Sequence, residues 1–262
     1  MVFAKKSYGQ HFLKDQSVID KIIAAAEIVP GDLVVEVGPG TGALTKSLAP
    51  ISSKLVLIEA DAELIPGLTA YFKDATVIKA DAAQFDFSSL YNPLLPSITP
   101  WVFVSNLPYN AGNAILMNVL TCKNPPKRSV VMLQKEVGER MLWTDPGVLS
   151  VAVQLYAQVE KVCIVPPGAF SPPPKVDSMV LKLTPRHSTD PLYPPGWGKE
   201  RTMRVIAVAK AGFANRRKQL HKNLSDASLY SSEEVKTKLV ELGHSPLARA
   251  EELSLKDWIE LS

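Results

Sequence analysis

The sequence of 262 residues has little cysteine and no long uninterrupted apolar run. Its two cysteines, Cys122 and Cys163, are too few and too widely spaced for a metal site or a redox pair, so we expect reduced, buried thiols and no metal. The first residues lack the apolar core of a signal peptide and the arginine-rich pattern of a transit peptide. We therefore expect a cytoplasmic protein.

Charged residues are missing between Asp86 and Lys123, but this stretch does not predict a membrane span. Several prolines and Asn106 interrupt it, and no apolar run of about 18 residues remains between them. The excess charge of the chain lies near the C-terminus instead, in a basic segment whose only acidic residue is Glu200. The basic segment contains Lys199, Arg201, Arg204, Lys210, Arg216, Arg217, Lys218 and Lys222.

Such a concentration of positive charge is typical of a surface that binds a polyanion. The densest part is Arg216, Arg217 and Lys218, and Lys222 follows closely. The alternative interpretation is a solvated helix face, which is the usual reason for a run of charges.

Apolar runs alternate with helical patterns along the first part of the chain. We predict parallel strands near residues 33–37, 55–58, 76–78, 101–105 and 129–134, and an edge pair near 159–165 and 176–184. Strands that are separated by helices form a mostly parallel sheet, and such sheets bind ligands at the carboxyl ends of their strands. Asp15 is expected to cap the helix that follows it.

A proline- and glycine-rich stretch, Pro185–Gly198, is typical of a linker. We place a domain boundary there, which predicts an α/β domain at residues 1–185 and a small all-helical domain at residues 186–262. In the second domain, Ser231–Glu234 and Ser254–Asp257 have the spacing of capping boxes.

Three closely spaced glycines, Gly38, Gly40 and Gly42, follow the first predicted strand of the sheet. A turn of this kind before a helix is expected to expose bare amides that hold the polar part of a nucleotide-like cofactor. Glu59 ends the next strand, where its carboxylate can accept both ribose hydroxyls, although it can also be a solvated strand end. These features suit a dinucleotide-dependent dehydrogenase and an S-adenosylmethionine-dependent enzyme equally well.

The ends of the next two strands separate these cofactor classes. Asp81 can accept from an adenine amino group, or it can cap the turn after it. Asn106, Leu107, Pro108 and Tyr109 follow the fourth strand and suit methyl transfer to an exocyclic amine, whose lone pair is delocalised into the ring. The Asn106 side-chain oxygen and the Leu107 carbonyl, which Pro108 directs outward, are expected to accept the amine hydrogens. Tyr109 is expected to stack on the base.

Several ordered motifs together resemble the KsgA/RsmA family of ribosomal RNA adenine dimethyltransferases, over nearly the whole chain. They are Gly9–Leu13 (GQHFL), Glu36–Gly42 (EVGPGTG), Asn106–Asn110 (NLPYN), Gln134–Val137 (QKEV), Gly168–Ser178 (GAFSPPPKVDS), Phe213–Leu220 (FANRRKQL) and Arg249–Ser254 (RAEELS). The resemblance implies a Rossmann-like class I methyltransferase domain with a seven-stranded sheet and an RNA-binding helical domain.

The activity that this resemblance implies is the transfer of methyl groups from S-adenosylmethionine to N6 of two adjacent adenosines, two methyls each. The target lies in the 3′-terminal hairpin loop of small-subunit (16S) ribosomal RNA, within a pre-30S-like particle. We expect a monomer that contacts no membrane.

Matching the family residue by residue also assigns roles to side chains. Phe170 is implied to sandwich the target adenine with Tyr109, although an aromatic residue beside prolines can also be a core residue. His11 is implied to contact the cofactor, with a capping or packing role as the alternative. The cofactor-binding residues implied in this way are His11, Leu13, Gly38, Gly40, Glu59, Asp81 and Asn106.

The loop between Met141 and Leu149 departs from the family pattern, because it is shorter and less basic than in relatives. This departure weighs against an RNA contact by the loop but leaves the chemistry unaffected. Two other functions stay open at this point. One is a large-subunit methyltransferase of the Erm type, and the other is a non-catalytic RNA- or assembly-binding relative.

Overall fold

The computed structural model describes residues 11–90, 100–186, 190–193 and 197–262. The chain divides into two compact units. The first unit comprises Met1–Gly138 and Gln158–Pro185, and the second comprises Glu139–Ala157 and Arg186–Ser262. The structure thus groups residues 139–157 with the C-terminal helices, whereas the sequence interpretation placed them in the first domain.

The strands of the described residues form two sheets. They are β1 (Phe12–Leu13), β2 (Leu33–Val37), β3 (Lys54–Glu59), β4 (Ala75–Lys79), β5 (Trp101–Asn106), β6 (Arg128–Gln134), β7 (Ala157–Val165), β8 (Phe170–Ser171) and β9 (Ser178–Pro185). The main sheet has the order β4-β3-β2-β5-β6-β9-β7, and the small sheet is the antiparallel pair β1-β8. The small sheet is not predicted from the sequence.

The α-helices of the described residues lie between these strands and after them. They are α1 (Gln16–Ala26), α2 (Thr45–Leu48), α3 (Ile65–Tyr71), α4 (Gly112–Thr121), α5 (Lys135–Met141), α6 (Val148–Tyr156), α7 (Lys199–Gly212), α8 (Leu220–Asp226), α9 (Ser232–Glu241) and α10 (Leu255–Leu261). None of these helices is long and apolar enough to cross a bilayer. Asp15 caps α1 as predicted, because its side chain accepts from the Ser17 amide.

Parallel pairing brings the carboxyl ends of four strands to one edge of the main sheet. Val37 at the end of β2 lies opposite Ile58 of β3 on one side and Ser105 of β5 on the other. The last residue of β3, Glu59, lies opposite Lys79 of β4. The loops that follow β2, β3, β4 and β5 therefore emerge side by side, and strands β2, β3 and β5 below them are almost completely buried.

The second unit is helical and has its own apolar core around Trp258, which is fully buried. Helix α6 belongs to this unit because Val151 and Leu155 pack into that core rather than onto the sheet. Helices α9 and α10 begin with the predicted capping boxes, at Ser231–Glu234 and Ser254–Asp257.

Gly212, at the end of α7, lies against this core and tests its packing. A Cβ atom there would lie 2.5 Å from Trp258 Cη2 and 2.8 Å from Leu220 Cδ1. We expect Gly212→Ala to lower the free energy of unfolding by about 1–3 kcal/mol through overpacking. Gly67→Ala is the control, because a Cβ on that glycine of α3 meets no atom within 4 Å. Urea titrations of both variants make the measurement, and equal stabilities would contradict the packing.

Candidate active site

A cavity of about 560 Å³ lies at the carboxyl edge of the main sheet, within the first unit. Its walls come from β1 and from the loops after β2, β3, β4 and β5. The sequence-predicted residues that line it are His11, Leu13, Gly38, Gly40, Glu59, Asp81, Asn106, Leu107, Pro108 and Tyr109. The fold thus brings together residues that are spread over about a hundred positions of the chain.

The glycine turn after β2 is shaped by left-handed backbone conformations, with φ of 65° at Gly38 and 58° at Gly40. At Gly40 a Cβ atom would also lie only 2.9 Å from the Phe12 ring. All three glycine amides donate within the protein, to Ile58 O (2.9 Å), Glu59 Oε2 (3.2 Å) and Pro39 O (2.8 Å). The expectation of bare amides is therefore wrong for these three glycines, and helix α2 begins only at Thr45.

Two buried carboxyl groups, Glu36 and Glu59, lie beneath the glycine turn and line the cavity. Glu59 accepts from the amides of Gly40 and Asp61, yet burial still raises its pKa above the ordinary value. Glu36 accepts from the Thr45 hydroxyl at 2.7 Å. Its complete burial, reinforced by the nearby charge of Glu59, raises the pKa of Glu36 to about 8.

The side-chain amide of Asn106 is oriented by the main chain of His11. Its nitrogen Nδ2 lies 3.0 Å from the His11 carbonyl oxygen. A carbonyl can only accept, so the NH₂ group must face it, and the planar amide then directs Oδ1 away from His11. The amide of the next residue, Leu107, donates to the Met132 carbonyl and fixes the following peptide. The oxygen of Asn106 is thus available as an acceptor at the cavity.

The ring of His11 is held by the loop after β8. Nδ1 lies 2.8 Å from the Pro172 carbonyl oxygen and must carry a proton to donate to it. The same ring lies against Tyr109, with ring centroids 5.4 Å apart and planes tilted by 35°. The Tyr109 hydroxyl shares a hydrogen bond of 2.6 Å with the Ser178 hydroxyl, and burial raises the pKa of Tyr109.

Comparison with known proteins identifies the family to which this site belongs. A family model described as ribosomal RNA adenine dimethylase matches residues 1–261. The chain belongs to this family. It is 38% identical to ribosomal RNA small subunit methyltransferase A of Thermosynechococcus vestitus, over 100% of this chain and 97% of that protein. It is 40% identical to the protein of the same name from Syntrophotalea carbinolica, over 98% of this chain and 95% of that protein.

Solved structures of related enzymes confirm the predicted fold class, a Rossmann-like class I methyltransferase with a helical C-terminal region. The 23S rRNA methyltransferase ErmE matches with a TM-score of 0.73 and 25% identity, over 95% of this chain and 97% of that chain. A dimethyladenosine transferase from Plasmodium falciparum matches with a TM-score of 0.71 and 26% identity, over 96% of each chain.

One residue carried over from the family pattern lies elsewhere. Phe170 is only 1% exposed, packs into the core of the first unit and does not line the cavity. The pairing of β1 with β8 places it opposite Leu13, which draws the ring inward. The sandwich of Tyr109 and Phe170 expected for the target base is therefore absent from this structure. Gly9 and Gln10 of the same family pattern lie outside the described residues.

Asp81 keeps a local hydrogen bond while it lines the cavity. One carboxylate oxygen accepts from the Ala83 amide at 2.9 Å, which is the turn-capping geometry considered as the alternative. The side chain is exposed, and its second oxygen remains available as an acceptor toward the cavity. Asp81 can therefore cap the turn and, with its second oxygen, accept a hydrogen bond from a ligand in the cavity.

The basic segment of the second unit is partly neutralised. Arg216 forms a two-point contact with Asp145, at 2.5 and 3.4 Å, and also donates to the Pro146 carbonyl. Lys218 is paired with Asp226. Arg217 and Lys222 are exposed and form no ion pair with the described part of the chain. The atypical loop between Met141 and Leu149 thus supplies the carboxylate that holds Arg216.

Sequence reasoning missed two residues of the site, Glu36 and Ser178. The signal for Glu36 is an acidic residue inside an apolar strand. Burial of a carboxyl group is unfavourable in free energy, so its presence there indicates a functional site. Nothing in the sequence pairs Ser178 with Tyr109, because the contact depends on the antiparallel insertion of β9 beside β6.

The raised pKa of Glu36 predicts a pH dependence of stability. The folded protein holds the Glu36 proton up to about pH 8, whereas the unfolded chain releases it near the ordinary value of 4.5. Stability from this group is complete below pH 4.5 and is lost as pH rises through about 8, at up to about 1.4 kcal/mol per pH unit.

The variant Glu36→Gln keeps an acceptor for Thr45 and does not titrate. We expect its free energy of unfolding, relative to that of the unmodified protein, to rise steadily between about pH 5 and 8. Urea titrations across this range make the measurement, with Glu160→Gln as the control at an exposed carboxylate. A difference that stays constant with pH would show that Glu36 is ionised in the folded state.

Proposed function

We propose that this protein dimethylates N6 of two adjacent adenosines in the 3′-terminal hairpin loop of small-subunit ribosomal RNA, with S-adenosylmethionine as methyl donor. The observation that carries this proposal is the orientation of Asn106. This residue lines the cavity, and its side-chain oxygen is directed away from His11 and is available as an acceptor. Membership of the ribosomal RNA adenine dimethylase family agrees with it.

The cavity suits S-adenosylmethionine in size and chemistry. Its volume of about 560 Å³ lies in the usual range for small-molecule sites, roughly 300–1,000 Å³. Glu59 is positioned to accept the ribose hydroxyls through the lone pairs that Gly40 and Asp61 leave unused, and Asp81 can accept from the adenine amine. When bound, the cofactor supplies an electrophilic methyl group on a sulfonium centre.

The residues after β5 then activate and orient the acceptor amine. Hydrogen bonds from N6 to Asn106 Oδ1 and to the Leu107 carbonyl favour a pyramidal nitrogen with its lone pair available for attack. Pro108 directs that carbonyl, and its own carbonyl accepts from the Gly112 amide at 2.8 Å, which anchors the turn. Tyr109 provides a face for the base. Catalysis of this kind depends on orientation and electrostatics, without a strong base.

A base within a hairpin loop must leave its stack to reach this site. The half-buried ring of Tyr109 and the uncharged turn around it offer an apolar surface for such a base. Affinity for the phosphate backbone comes from elsewhere, and within the dense part of the basic segment Arg217 and Lys222 are the exposed residues that no carboxylate of the described residues pairs. We assign a smaller direct role to Arg216 and Lys218, because each is already paired with a carboxylate.

We further propose that the substrate is the RNA within a pre-30S-like particle in the cytoplasm, since structured RNA is recognised largely by its shape. We also propose that a single chain carries out the reaction. The large-subunit alternative is weaker, because the chain is 25% identical to ErmE but 38–40% identical to named small-subunit enzymes. The oriented Asn106 argues against a non-catalytic relative.

Labelled S-adenosylmethionine tests the substrate. We expect unmethylated small ribosomal subunits to gain label at two adjacent adenosines, with large subunits unlabelled, when the labelled nucleotides are mapped. Label confined to the large subunit would overturn the proposed substrate in favour of the Erm-type activity.

Asn106→Ala tests the activation of the amine. We expect a fall in kcat of about 10²–10³-fold, as for other lost groups that stabilise a transition state, with most of the cofactor affinity retained. Asn113→Ala, at an exposed asparagine of α4, is the control. Full activity of Asn106→Ala would rule out the proposed role of its side chain.

Substitutions in the basic segment test the RNA surface. The double variant Arg217→Ala/Lys222→Ala should weaken binding to the small-subunit RNA and lower the salt slope by about 1–2, whereas Arg216→Ala should change it less. Asp145→Asn releases Arg216 and should strengthen binding. Electrophoretic mobility shifts at several salt concentrations make the measurement, and equal slopes for all variants would place the RNA surface elsewhere.

A further inference from the structure

The ring of Tyr109 is held at its hydroxyl end by a hydrogen bond. Its hydroxyl lies 2.6 Å from the hydroxyl of Ser178, and Ser178 is fully buried while Tyr109 remains partly exposed at the cavity. A hydrogen bond between a buried and a partly buried group is shielded from competing water, so it holds the ring more firmly than an exposed contact would.

Ser178 is a rigid anchor because of its place in the main sheet. It is the first residue of β9 and lies opposite Gln134, at the carboxyl end of β6, which is at the same edge of the sheet as the end of β5. The β6–β9 pair is antiparallel and lies inside the sheet, with β7 beyond β9. The hydroxyl of Ser178 is therefore fixed by the sheet and not by a loop.

The two contacts of the Tyr109 ring constrain different motions. The phenol oxygen lies on the axis about which the ring rotates, so the bond to Ser178 fixes the direction of the side chain but not the rotation of the ring plane. The His11 ring, 5.4 Å away, restricts that rotation. His11 is held in turn by Pro172, so both constraints originate in the segment Pro172–Ser178.

These constraints matter because Tyr109 has no second aromatic wall opposite it from Phe170, which lies in the core. A base that rests on one ring takes its orientation from that ring. A small tilt would move N6 away from Asn106 Oδ1 and out of line with the methyl group, and a misplacement of about 1 Å can cost about 10²-fold in rate.

We propose that Ser178 is a positioning residue for methyl transfer, which acts through Tyr109 by fixing the direction of the ring that carries the target adenine. The inference rests on the proposed function, since it concerns the same base site. Ser178 does not touch the base in this account. Its removal therefore affects the rate of transfer and leaves cofactor binding unchanged.

Two variants remove the same hydrogen bond from opposite sides. Ser178→Ala and Tyr109→Phe should each lower kcat roughly 10-fold on small-subunit particles, with the Kd for S-adenosylmethionine unchanged. The double variant should be no slower than the slower single variant, because both substitutions break one interaction. Multiplying losses in the double variant would overturn the proposal.

Controls separate positioning from a loss of fold. Ser129→Ala removes another buried serine hydroxyl from the β6–β9 pair, one that has no hydrogen-bond partner among the described residues, and should keep full activity. Ser178→Thr restores a hydroxyl and should recover most of the rate. A loss of kcat that follows the thermal stability of these variants, rather than the presence of the hydroxyl, would show a merely structural role.

A readout without substrate distinguishes this inference from the proposed function. The ring signals of Tyr109 in NMR spectra of tyrosine-labelled protein, assigned through Tyr109→Phe, should shift and broaden in Ser178→Ala and stay unchanged in Ser129→Ala. If small subunits gain no methyl groups, the proposed function fails while this result still stands. If the Tyr109 signals are the same in Ser178→Ala, the positioning role fails whatever the substrate.

Discussion

The hydrogen bond from Asn106 Nδ2 to the His11 carbonyl is the constraint on which the transfer site depends. It joins the end of a central parallel strand to the N-terminal segment beside it, and it determines which atom of the amide is left for a substrate. A freely rotating asparagine would present its oxygen and its NH₂ group alternately. Only the oxygen can accept an amine hydrogen, so the orientation selects a donor substrate and rejects an acceptor.

The same corner of the molecule is held from a second side by the small β1–β8 sheet. This pair ties His11 and Leu13 to the segment that leads to Pro172 and Ser178. The orientation of Asn106 and the position of the Tyr109 ring thus both depend on contacts with the segments that this small sheet joins. Glu59 holds the glycine turn through the Gly40 amide, and Glu36 holds the start of α2 through the Thr45 hydroxyl. Burial of these two carboxyl groups raises the pKa of both.

Local patterns made much of this structure predictable. The cap of α1 by Asp15 and the later capping boxes depend on residues a few positions apart, and the parallel strands follow from apolar runs. Long-range effects were not predictable in the same way. The burial of Phe170 depends on strand pairing with Leu13, the occupied amide of Gly40 depends on Glu59, and the neutralised Arg216 depends on Asp145, 71 positions away. Each outcome depends on a partner that sequence spacing does not reveal.

The most direct test of the orientation of Asn106 is a crystal structure of the protein with S-adenosylhomocysteine and adenosine bound. The account predicts that N6 of the adenosine lies within hydrogen-bonding distance of Asn106 Oδ1 and of the Leu107 carbonyl, while Nδ2 stays on the His11 carbonyl. An adenosine whose N6 contacts neither oxygen, or an amide that has turned its NH₂ group toward the base, would contradict it.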